Sequence, residues 1–465
     1  MVNTISLLKH TTISFSNYIR RHFTLIWVIF LLLTTTLGLW DVFSKWQSVG
    51  GGEYWWIAQS LADGHGYSID ATHRWIFNDF ESSYPSDKYF PTAISEPVYP
   101  TLMALSLKVF GEYSKLAILI FQVTALTLTS VVVYFLGRKV FNPQTGILAG
   151  SILAIWHNPR PIAEQHVNPA IFFGLMMCIS AFLILWCLEK VSVPRGIFLG
   201  LVLGFTCLIH VATLLFIPIA VLLVLLSACP SRPVVWKTAL SILLTACVVV
   251  SPWTIRNLSV FGEFVPVRTG TELNTHQGNP ILAGTFSPGD HACSNTLGPL
   301  WKAENAREAI RLSRWDLEKT RAIYKRSYEC IEQKAPQNCE NFNEAQRDKF
   351  YLKNTLEFVF SKPQIFATLA YYKFIAFFSG WSRSQGLVGL LAFAGALISF
   401  RNQQARVITL LALTFSIPYV IAVQWFYRYR YPIEPVLLIL ASYVVIFVAS
   451  LFWRAKRKKI SVLIF

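Results

Sequence analysis

The run NPAIFFGLMMCISAFLILWCL, residues 168–188, contains 21 residues and no charged side chain. A helix of this length is about 30 Å long, which matches the hydrocarbon thickness of a bilayer. The whole chain has the same character, because 54% of its 465 residues are hydrophobic, only 14% are charged, and its mean hydropathy is +0.46. The sequence therefore predicts a membrane protein, with room for one substantial insertion outside the bilayer.

Similar runs predict an all-α polytopic protein with about ten transmembrane helices. The third run, at about 144–158, and the fifth, at about 196–210, are short for a bilayer. The first follows Lys9, Arg20 and Arg21 and has no small-residue cleavage pattern after it, which favours a signal anchor over a removed signal peptide. The predicted spans are about 23–41, 115–137, 144–158, 168–188, 196–210, 211–228, 236–255, 384–400, 406–425 and 432–453.

The distribution of charge predicts the orientation. Alternating spans place about sixteen Lys and Arg residues, and a single acid, Glu189, on the side of the N-terminus. By the positive-inside rule this side is cytoplasmic, so both termini are predicted to be cytoplasmic in a plasma (inner) membrane. The net charge of +16 does not indicate nucleic-acid binding, because the cations lie in short loops between apolar runs.

The loops on the predicted outer side are long, whereas the cytoplasmic loops are short. The outer loops contain EYWWIAQSLADGHGY (53–67), EPVYPTLMALSLKVFG (96–111) and a segment at about 364–379, all predicted to form helices at the membrane interface. The predicted parts are a cytoplasmic segment 1–22, a transmembrane module 23–255 with a first outer loop 42–114, a large outer loop 256–383, C-terminal transmembrane helices 384–453 and a basic cytoplasmic tail 454–465.

Cysteine usage gives little evidence for a metal centre. Cys293, Cys330 and Cys339 lie in the large outer loop, where two of them could pair in an oxidising compartment; Cys330 and Cys339 are nearest in sequence. No CxxC motif or Cys/His cluster with zinc spacing occurs, so no structural zinc site is predicted.

Three arginines break the charge pattern of the outer side. Arg428 and Arg430 lie in FYRYRYPIEP (426–435), and Arg256 follows the seventh predicted span. Such arginines can anchor span ends, together with tyrosines of the aromatic belt. The alternative is anion binding, because the guanidinium fork suits a phosphate at headgroup depth.

Acidic and polar residues of the outer loops are candidates for proton transfer or for binding an acceptor. Glu53 opens the first interfacial helix, Glu164 lies in the short loop HNPRPIAEQHVNP (157–169), and Glu96 precedes Pro97. Transfer to a hydroxyl requires a carboxylate that takes up its proton, although loop carboxylates are often only solvated. Weaker candidates for acceptor or sugar binding are the loop histidines His157, His166 and His276 and the turn residue Asn279.

In order and in side of the membrane, these motifs resemble the GT-C glycosyltransferases of the protein O-mannosyltransferase and aminoarabinose-transferase group (glycosyltransferase family 39-like). The shared set also includes PWTIRNLSVFGEFVPV (252–267) and a Gly278–Asn279 turn. The resemblance implies a GT-C bundle and transfer of a hexose or pentose from a polyprenyl-phosphate sugar to an acceptor, usually with inversion. It further implies a catalytic acid in the first outer loop, an assisting acid at Glu164, and arginines that hold the lipid phosphate.

One position departs from the family pattern. Relatives commonly carry an aspartate four residues before the tyrosine that matches Tyr54, and this chain has Gly50 there, in a VGGGEY run. Glu53 is the nearby acid. Either Glu53 replaces the aspartate, or the chemistry is altered or lost.

The sequence thus predicts a membrane glycosyltransferase with catalytic Glu53 and Glu164, and with Arg256, Arg428 and Arg430 at the donor phosphate. The expected partners are a polyprenyl-phosphate sugar, membrane lipids and a glycan, lipid or protein acceptor. No cofactor is indicated, and a requirement for a divalent cation stays open. Two alternatives remain: an outer-face glycan ligase or polymerase with a pyrophosphate-linked donor, and a lipid or solute transporter. Internal repeats and ionisable residues at span centres, both expected of a transporter, are not evident.

Overall fold

The structure, a computed structural model, consists almost entirely of α-helices. It describes residues 25, 27–70, 88–156, 167–227, 231–276, 278–279, 282, 304–315, 343–380, 382–422 and 429–463. The helices are α1 (Trp27–Ser48), α2 (Glu53–Ala62), α3 (Val98–Phe110), α4 (Ser114–Val140), α5 (Pro143–Trp156), α6 (Ala170–Glu189), α7 (Val193–Cys207), α8 (Phe216–Leu225), α9 (Arg232–Phe261), α10 (Thr271–His276), α11 (Ala306–Trp315), α12 (Glu344–Ser361), α13 (Pro363–Ser379), α14 (Arg383–Ile398), α15 (Gln403–Ile421) and α16 (Glu434–Leu463).

The helix lengths and their composition confirm an integral membrane protein. Six segments among the described residues are long and apolar enough to cross a bilayer: α1, the continuous stretch Val98–Val140, α6, α9, α15 and the first part of α16. Four apolar helices, α5, α7, α8 and α14, are shorter. Each predicted span overlaps one of these ten segments, but the number that cross the membrane stays a prediction.

Close packing of α7 on α9 explains how the short helix α7 is held. Gly196, Gly200 and Gly204 form a stripe along α7. A Cβ atom added at Gly200 would lie 2.5 Å from the carbonyl oxygen of Ile242 on α9, and one at Gly204 would lie 2.9 Å from that of Ala246. Small residues at every fourth position let two helix backbones approach in lipid, where dispersion contacts drive association.

On one side of the bundle, the described residues 49–70, 88–97, 167–169, 208–215, 262–276, 278–279, 282, 343–380 and 382 connect the apolar helices; this side is called the loop face below. The helix α2 packs there through Trp55 and Ala58 against Tyr99 and Met103 of α3, in a cluster with α1 and α4. Both helices of the first loop therefore form where the sequence predicts them. Gly64 and Gly66 follow α2 with positive φ angles of 89° and 74°, a conformation that glycine adopts without strain.

One small β-ribbon departs from an all-helical structure. Ser68–Asp70 pairs in antiparallel fashion with Tyr89–Pro91, whereas the sequence predicts an all-α protein. Each strand has three residues, too few for a hydrophobic alternation to be recognised. The ribbon matters because its second strand leads directly into residues 92–96 on the loop face.

Candidate active site

A cavity of about 230 Å³ lies on the loop face, between α2 and the ends of the apolar helices. It combines a carboxylate, a guanidinium, an imidazole, two side-chain amides and several aromatic rings, a combination typical of sites that bind polar ligands with ring faces. Its lining residues are Glu53, Tyr54, Ile94, Asn168, Pro169, Ala170, Phe173, His210, Arg268, Gly270, Asn274, Tyr419, Tyr429 and Pro432.

These residues come from segments distant in sequence. Glu53 is the first residue of α2, Asn168 precedes α6, and His210 lies in the link between α7 and α8. Arg268 belongs to the segment between α9 and α10, and Tyr429 belongs to the segment between α15 and α16. The cavity therefore forms only when the bundle has assembled, which is the usual arrangement of a site between helices.

Arg268 is the cation of the cavity, and Glu96 holds its guanidinium in place. The Arg268 Nη1 atom lies 3.5 Å from Glu96 Oε2, and the Arg268 side chain is 16% exposed whereas that of Glu96 is 1% exposed. Burial lowers the pKa of Arg268, but Glu96, Tyr54 and Glu53 more than reverse this effect, so the pKa is raised and Arg268 stays charged. It is a partly buried cation with an open side toward the cavity.

Glu96 is a buried carboxylate that connects Arg268 with the His210 segment. Burial by itself raises the pKa of Glu96, but Arg268, His210 and the backbone N–H of Val211 outweigh it, so the pKa lies below its usual range. The N–H of Val211 donates to Glu96 Oε1 at 3.0 Å. Glu96 was predicted as a weak acceptor-binding candidate; the structure places it behind Arg268, and the cavity lining does not include it.

His210 presents a defined face to the cavity. Its ring stacks on Phe173 with centroids 4.4 Å apart, and its Nε2 atom lies 3.3 Å from the hydroxyl of Tyr419. The N–H of Ala212 donates to Nδ1 at 3.3 Å. A neutral His210 therefore carries its proton on Nε2, the nitrogen that faces Tyr419.

Of the predicted catalytic residues, Glu53 lines the cavity. Glu164 lies outside the described residues, as do His157 and His166. Asn168, four residues after Glu164, lines the cavity, so the chain enters the site just after this predicted acid. The roles of Glu53 and Glu164 stay predictions.

The predicted phosphate-binding arginines have different locations. Arg428 lies outside the described residues, but the adjacent Tyr429 lines the cavity. Arg256 is half-buried and donates to backbone carbonyls, from Nη1 to Thr92 at 2.8 Å and from Nη2 to Tyr67 at 2.9 Å. These bonds fasten the β-ribbon and residue 92 to the end of α9. The geometry favours a positioning role for Arg256 over contact with a ligand.

Arg430 is fully buried in an ion pair. Its Nε atom lies 2.6 Å from Glu434 Oε1, and both side chains are 0% exposed. Its terminal nitrogens donate to the carbonyls of Phe378 at 2.6 Å and Gln385 at 2.9 Å. Arg430 thus joins the end of α13, the start of α14 and the start of α16, and it does not line the cavity. This geometry favours a structural role over the predicted phosphate contact.

Of the weakly predicted sugar-binding residues whose side chains the structure describes, Asn279, like Glu96, does not line the cavity. Asn279 is buried; its amide nitrogen donates to the carbonyls of Thr275 and Ile421, and its oxygen accepts from Lys373 Nζ at 2.9 Å. His276 ends α10, and its side chain lies outside what the structure describes. Among the described residues, no group of three His, Cys, Asp or Glu side chains could hold a metal ion.

Glu344, the first residue of α12, accepts hydrogen bonds from both segments that carry the Glu96–Arg268 pair. Thr92 Oγ1 donates to Oε2 at 2.8 Å and the N–H of Ala93 donates to Oε1 at 3.1 Å, and Thr269 Oγ1 donates to the same Oε1. Burial raises the pKa of Glu344 to about 7, against the lowering effects of Thr92, Ala93 and the nearby arginines.

This raised pKa predicts a pH-dependent stability. Since the folded state binds the Glu344 proton more tightly than the unfolded chain does, the resulting stability is complete below the ordinary pKa of 4.5 and is lost as the pH rises through about 7. Glu344→Gln has no such proton. We expect its Tm relative to wild type to rise by about 2 °C between pH 5 and pH 8 in detergent. A difference that does not change with pH would contradict this prediction.

Residues 93–255 match the family model described as dolichyl-phosphate-mannose-protein mannosyltransferase. The matched range includes Glu96, Asn168 and His210. The archaeal oligosaccharyltransferase AglB from Archaeoglobus fulgidus, in complex with an inhibitory peptide and a dolichol-phosphate, superimposes with a TM-score of 0.52 and 14% identity over 94% of this chain. The chain has the GT-C fold. This confirms the fold that the sequence motifs predict.

The chain spans about half of AglB, since the alignment covers 52% of that protein. An Archaeoglobus fulgidus oligosaccharyltransferase tethered to an acceptor peptide with the NVT sequon gives a TM-score of 0.52, 14% identity and coverage of 94% of this chain and 51% of that one. ArnT from Cupriavidus metallidurans, bound to undecaprenyl phosphate, gives a TM-score of 0.36 and 12% identity, covering 89% and 77%, a likeness too distant to support an argument. No curated protein matches the sequence.

Proposed function

We propose that this chain is a membrane glycosyltransferase that moves a single sugar from a polyprenyl-phosphate donor to a hydroxyl of a lipid, glycan or protein acceptor. The cavity carries this proposal, because it places a carboxylate, Glu53, and a charged guanidinium, Arg268, in one aromatic-lined site at the ends of apolar helices. Transfer from a lipid phosphate needs both groups: a base for the acceptor proton and a cation for the leaving phosphate. The match of residues 93–255 to the mannosyltransferase model supports the same chemistry.

The proposed reaction is an inverting displacement. The acceptor oxygen attacks the anomeric carbon of the sugar and forms the new glycosidic bond, while the bond from that carbon to the phosphate oxygen breaks. Glu53 takes the acceptor proton, and the polyprenyl phosphate leaves with the bonding electrons. Arg268 lies where it can stabilise the charge that develops on the phosphate, in a partly buried site where electrostatic interactions are strong.

Glu53 is proposed to replace the aspartate that the family resemblance places at Gly50. Gly50 has no side chain that could take a proton, whereas Glu53 lines the cavity as the first residue of α2. Glu164 and Arg428 remain proposed contributors, since Asn168 and Tyr429 lead from them into the cavity. The face bearing the cavity is proposed to be the outer face of the inner membrane, with both termini cytoplasmic.

A transfer assay tests the proposal directly. Purified protein is given a panel of polyprenyl-phosphate hexoses and pentoses, a pyrophosphate-linked oligosaccharide, and lipid, glycan and peptide acceptors, with and without a divalent cation. We expect release of polyprenyl phosphate by the wild type, and a decrease in kcat for Glu53→Gln of about 100-fold. The control is Glu112→Gln, since Glu112 is an exposed glutamate between α3 and α4 that is not part of the cavity lining.

Other results would change the assignment. Turnover of the pyrophosphate-linked donor alone would indicate the glycan ligase instead. No turnover of any donor, combined with lipid or solute transport by reconstituted protein, would contradict the glycosyltransferase proposal and favour the transporter. An equal loss in Glu53→Gln and Glu112→Gln would remove the special role of Glu53.

A further inference from the structure

The helix α12 is fastened to the end of α9 by its N-cap residue, Asn343. Asn343 caps α12: its side chain accepts from the N–H of Gln346, and the Gln346 side chain accepts from the N–H of Asn343 in return. The Asn343 amide also donates to the carbonyl of Phe261 at 2.9 Å, at the end of α9. The first turns of α12 are therefore fixed against a membrane-embedded helix.

From this position α12 directs two carboxylates, one turn apart, at the backbone of the cavity. Glu344 accepts from the hydroxyls of Thr92 and Thr269 and from the N–H of Ala93. Asp348 is buried, and its Oδ2 atom accepts from the N–H of Gly270 at 2.6 Å. Spacing of four residues places both carboxylates on the same face of the helix.

The two segments that α12 contacts are also joined to each other. The N–H of Thr269 donates to the carbonyl of Ala93 at 2.9 Å. One segment leads within three residues to Glu96, and the other begins at Arg268, so together they carry the ion pair that orients the cavity cation. Ile94 and Gly270 belong to both the cavity lining and a small pocket that faces α12.

We propose that Glu344 and Asp348 are positioning residues for the sugar-transfer site, which fix the two segments whose Glu96–Arg268 pair faces the cavity; this inference rests on the proposed function. Neither carboxylate lines the cavity, so neither contacts the substrate. They act as hydrogen-bond acceptors for backbone and hydroxyl groups. In this way α12 sets the geometry of the cavity. Misplacement of a catalytic group by 1 Å can reduce turnover about 100-fold.

Amide and alanine variants distinguish the ability of Glu344 and Asp348 to accept hydrogen bonds from the effect of their negative charge. Glu344→Gln keeps one oxygen that can accept from Thr269 and the N–H of Ala93, although it loses the second oxygen that accepts from Thr92, and Asp348→Asn keeps an oxygen for the N–H of Gly270. Glu344→Ala and Asp348→Ala remove every acceptor oxygen. We expect the alanine variants to lower kcat for transfer about 10- to 100-fold with a smaller change in KM, and the amide variants to recover most of that loss. A catalytic base or an electrostatic ligand would give the opposite pattern, with the amides as impaired as the alanines.

Hydrogen–deuterium exchange gives a readout that does not depend on activity. In Glu344→Ala we expect faster exchange in a peptide covering residues 88–96, because the amide of Ala93 loses its acceptor. In Asp348→Ala we expect faster exchange in a peptide covering residues 265–275, because the amide of Gly270 loses its acceptor. The matched control is Glu357→Ala, an exposed glutamate on the same helix. Thr269→Val removes the hydroxyl that donates to Glu344; it should reproduce part of the Glu344→Ala loss and add little to it in the double variant.

The results separate this inference from the proposed function. Wild-type transfer with reduced kcat and faster exchange in the alanine variants, and neither change in Glu357→Ala, would support the positioning role. Faster exchange with unchanged kcat, or unchanged exchange in both peptides, would overturn it. If the wild type transferred no sugar, the proposed function would fail, and unchanged exchange would still refute the contacts. Should Glu344→Ala not fold, Thr269→Val and Asp348→Ala decide the question by the same measurements.

Discussion

Arg268→Leu is expected to lower kcat for sugar transfer by about 100-fold or more, the effect of removing one preorganised charge from a transition state that develops negative charge. KM should change less, because the phosphate gains charge as its bond to the sugar breaks. Arg268→Lys keeps the charge but loses the planar fork and its contact with Glu96, so we expect an intermediate kcat. Arg307→Leu, at an exposed arginine of α11, is the control.

Loss of Arg268 also leaves the buried Glu96 carboxylate without its ion-pair partner, which by itself would destabilise the fold. The double variant Arg268→Leu/Glu96→Gln separates the two effects. The amide that Glu96→Gln introduces carries no charge and can still accept from the N–H of Val211. We expect the double variant to regain much of the Tm lost by Arg268→Leu while transfer stays low. Recovery of transfer together with Tm would contradict a direct role for Arg268.

The sequence predicted the fold well because the bilayer imposes a simple rule on it. Apolar runs such as 168–188 have few alternatives in a chain of this composition, and the helix α6 lies where that run predicts a span. The interfacial helices were also recognisable, since α2 and α3 follow an amphipathic spacing. The β-ribbon was not predicted, because strands of three residues are too short to show the alternation of apolar and polar residues that is typical of a strand.

The cavity could be predicted only in part. Glu53 was identified because an acid stands at the start of an interfacial helix, and it lines the cavity. Arg268 was not predicted, because a single arginine in the long, cation-rich loop 256–383 does not stand out from its neighbours in the sequence. The signal available was its position: it directly follows the end of PWTIRNLSVFGEFVPV and precedes the Gly270 turn.

For Arg430, the position in the sequence and the contacts in the structure favour different roles. Its place in a short outer loop indicated an anion site, but its partners are Glu434, four residues later, and carbonyls from α13 and α14 that sequence spacing cannot reveal. Arg430→Leu is expected to lower the free energy of unfolding by about 3–5 kcal/mol, because it leaves Glu434 buried and uncompensated. Glu434→Leu should be destabilising for the reciprocal reason. Thermal unfolding in detergent measures both.

The double variant Arg430→Leu/Glu434→Leu distinguishes a structural arginine from a ligand of the donor phosphate. Apolar side chains can replace a buried ion pair at little cost, so the double variant should be more stable than either single variant. If Arg430 is structural, transfer per folded molecule should then approach that of wild type. If Arg430 binds the phosphate, the stable double variant would still show a kcat about 100-fold below that of wild type, the decrease that is expected for Arg268→Leu. That result would mean that Arg430 leaves its ion pair with Glu434 when the donor binds.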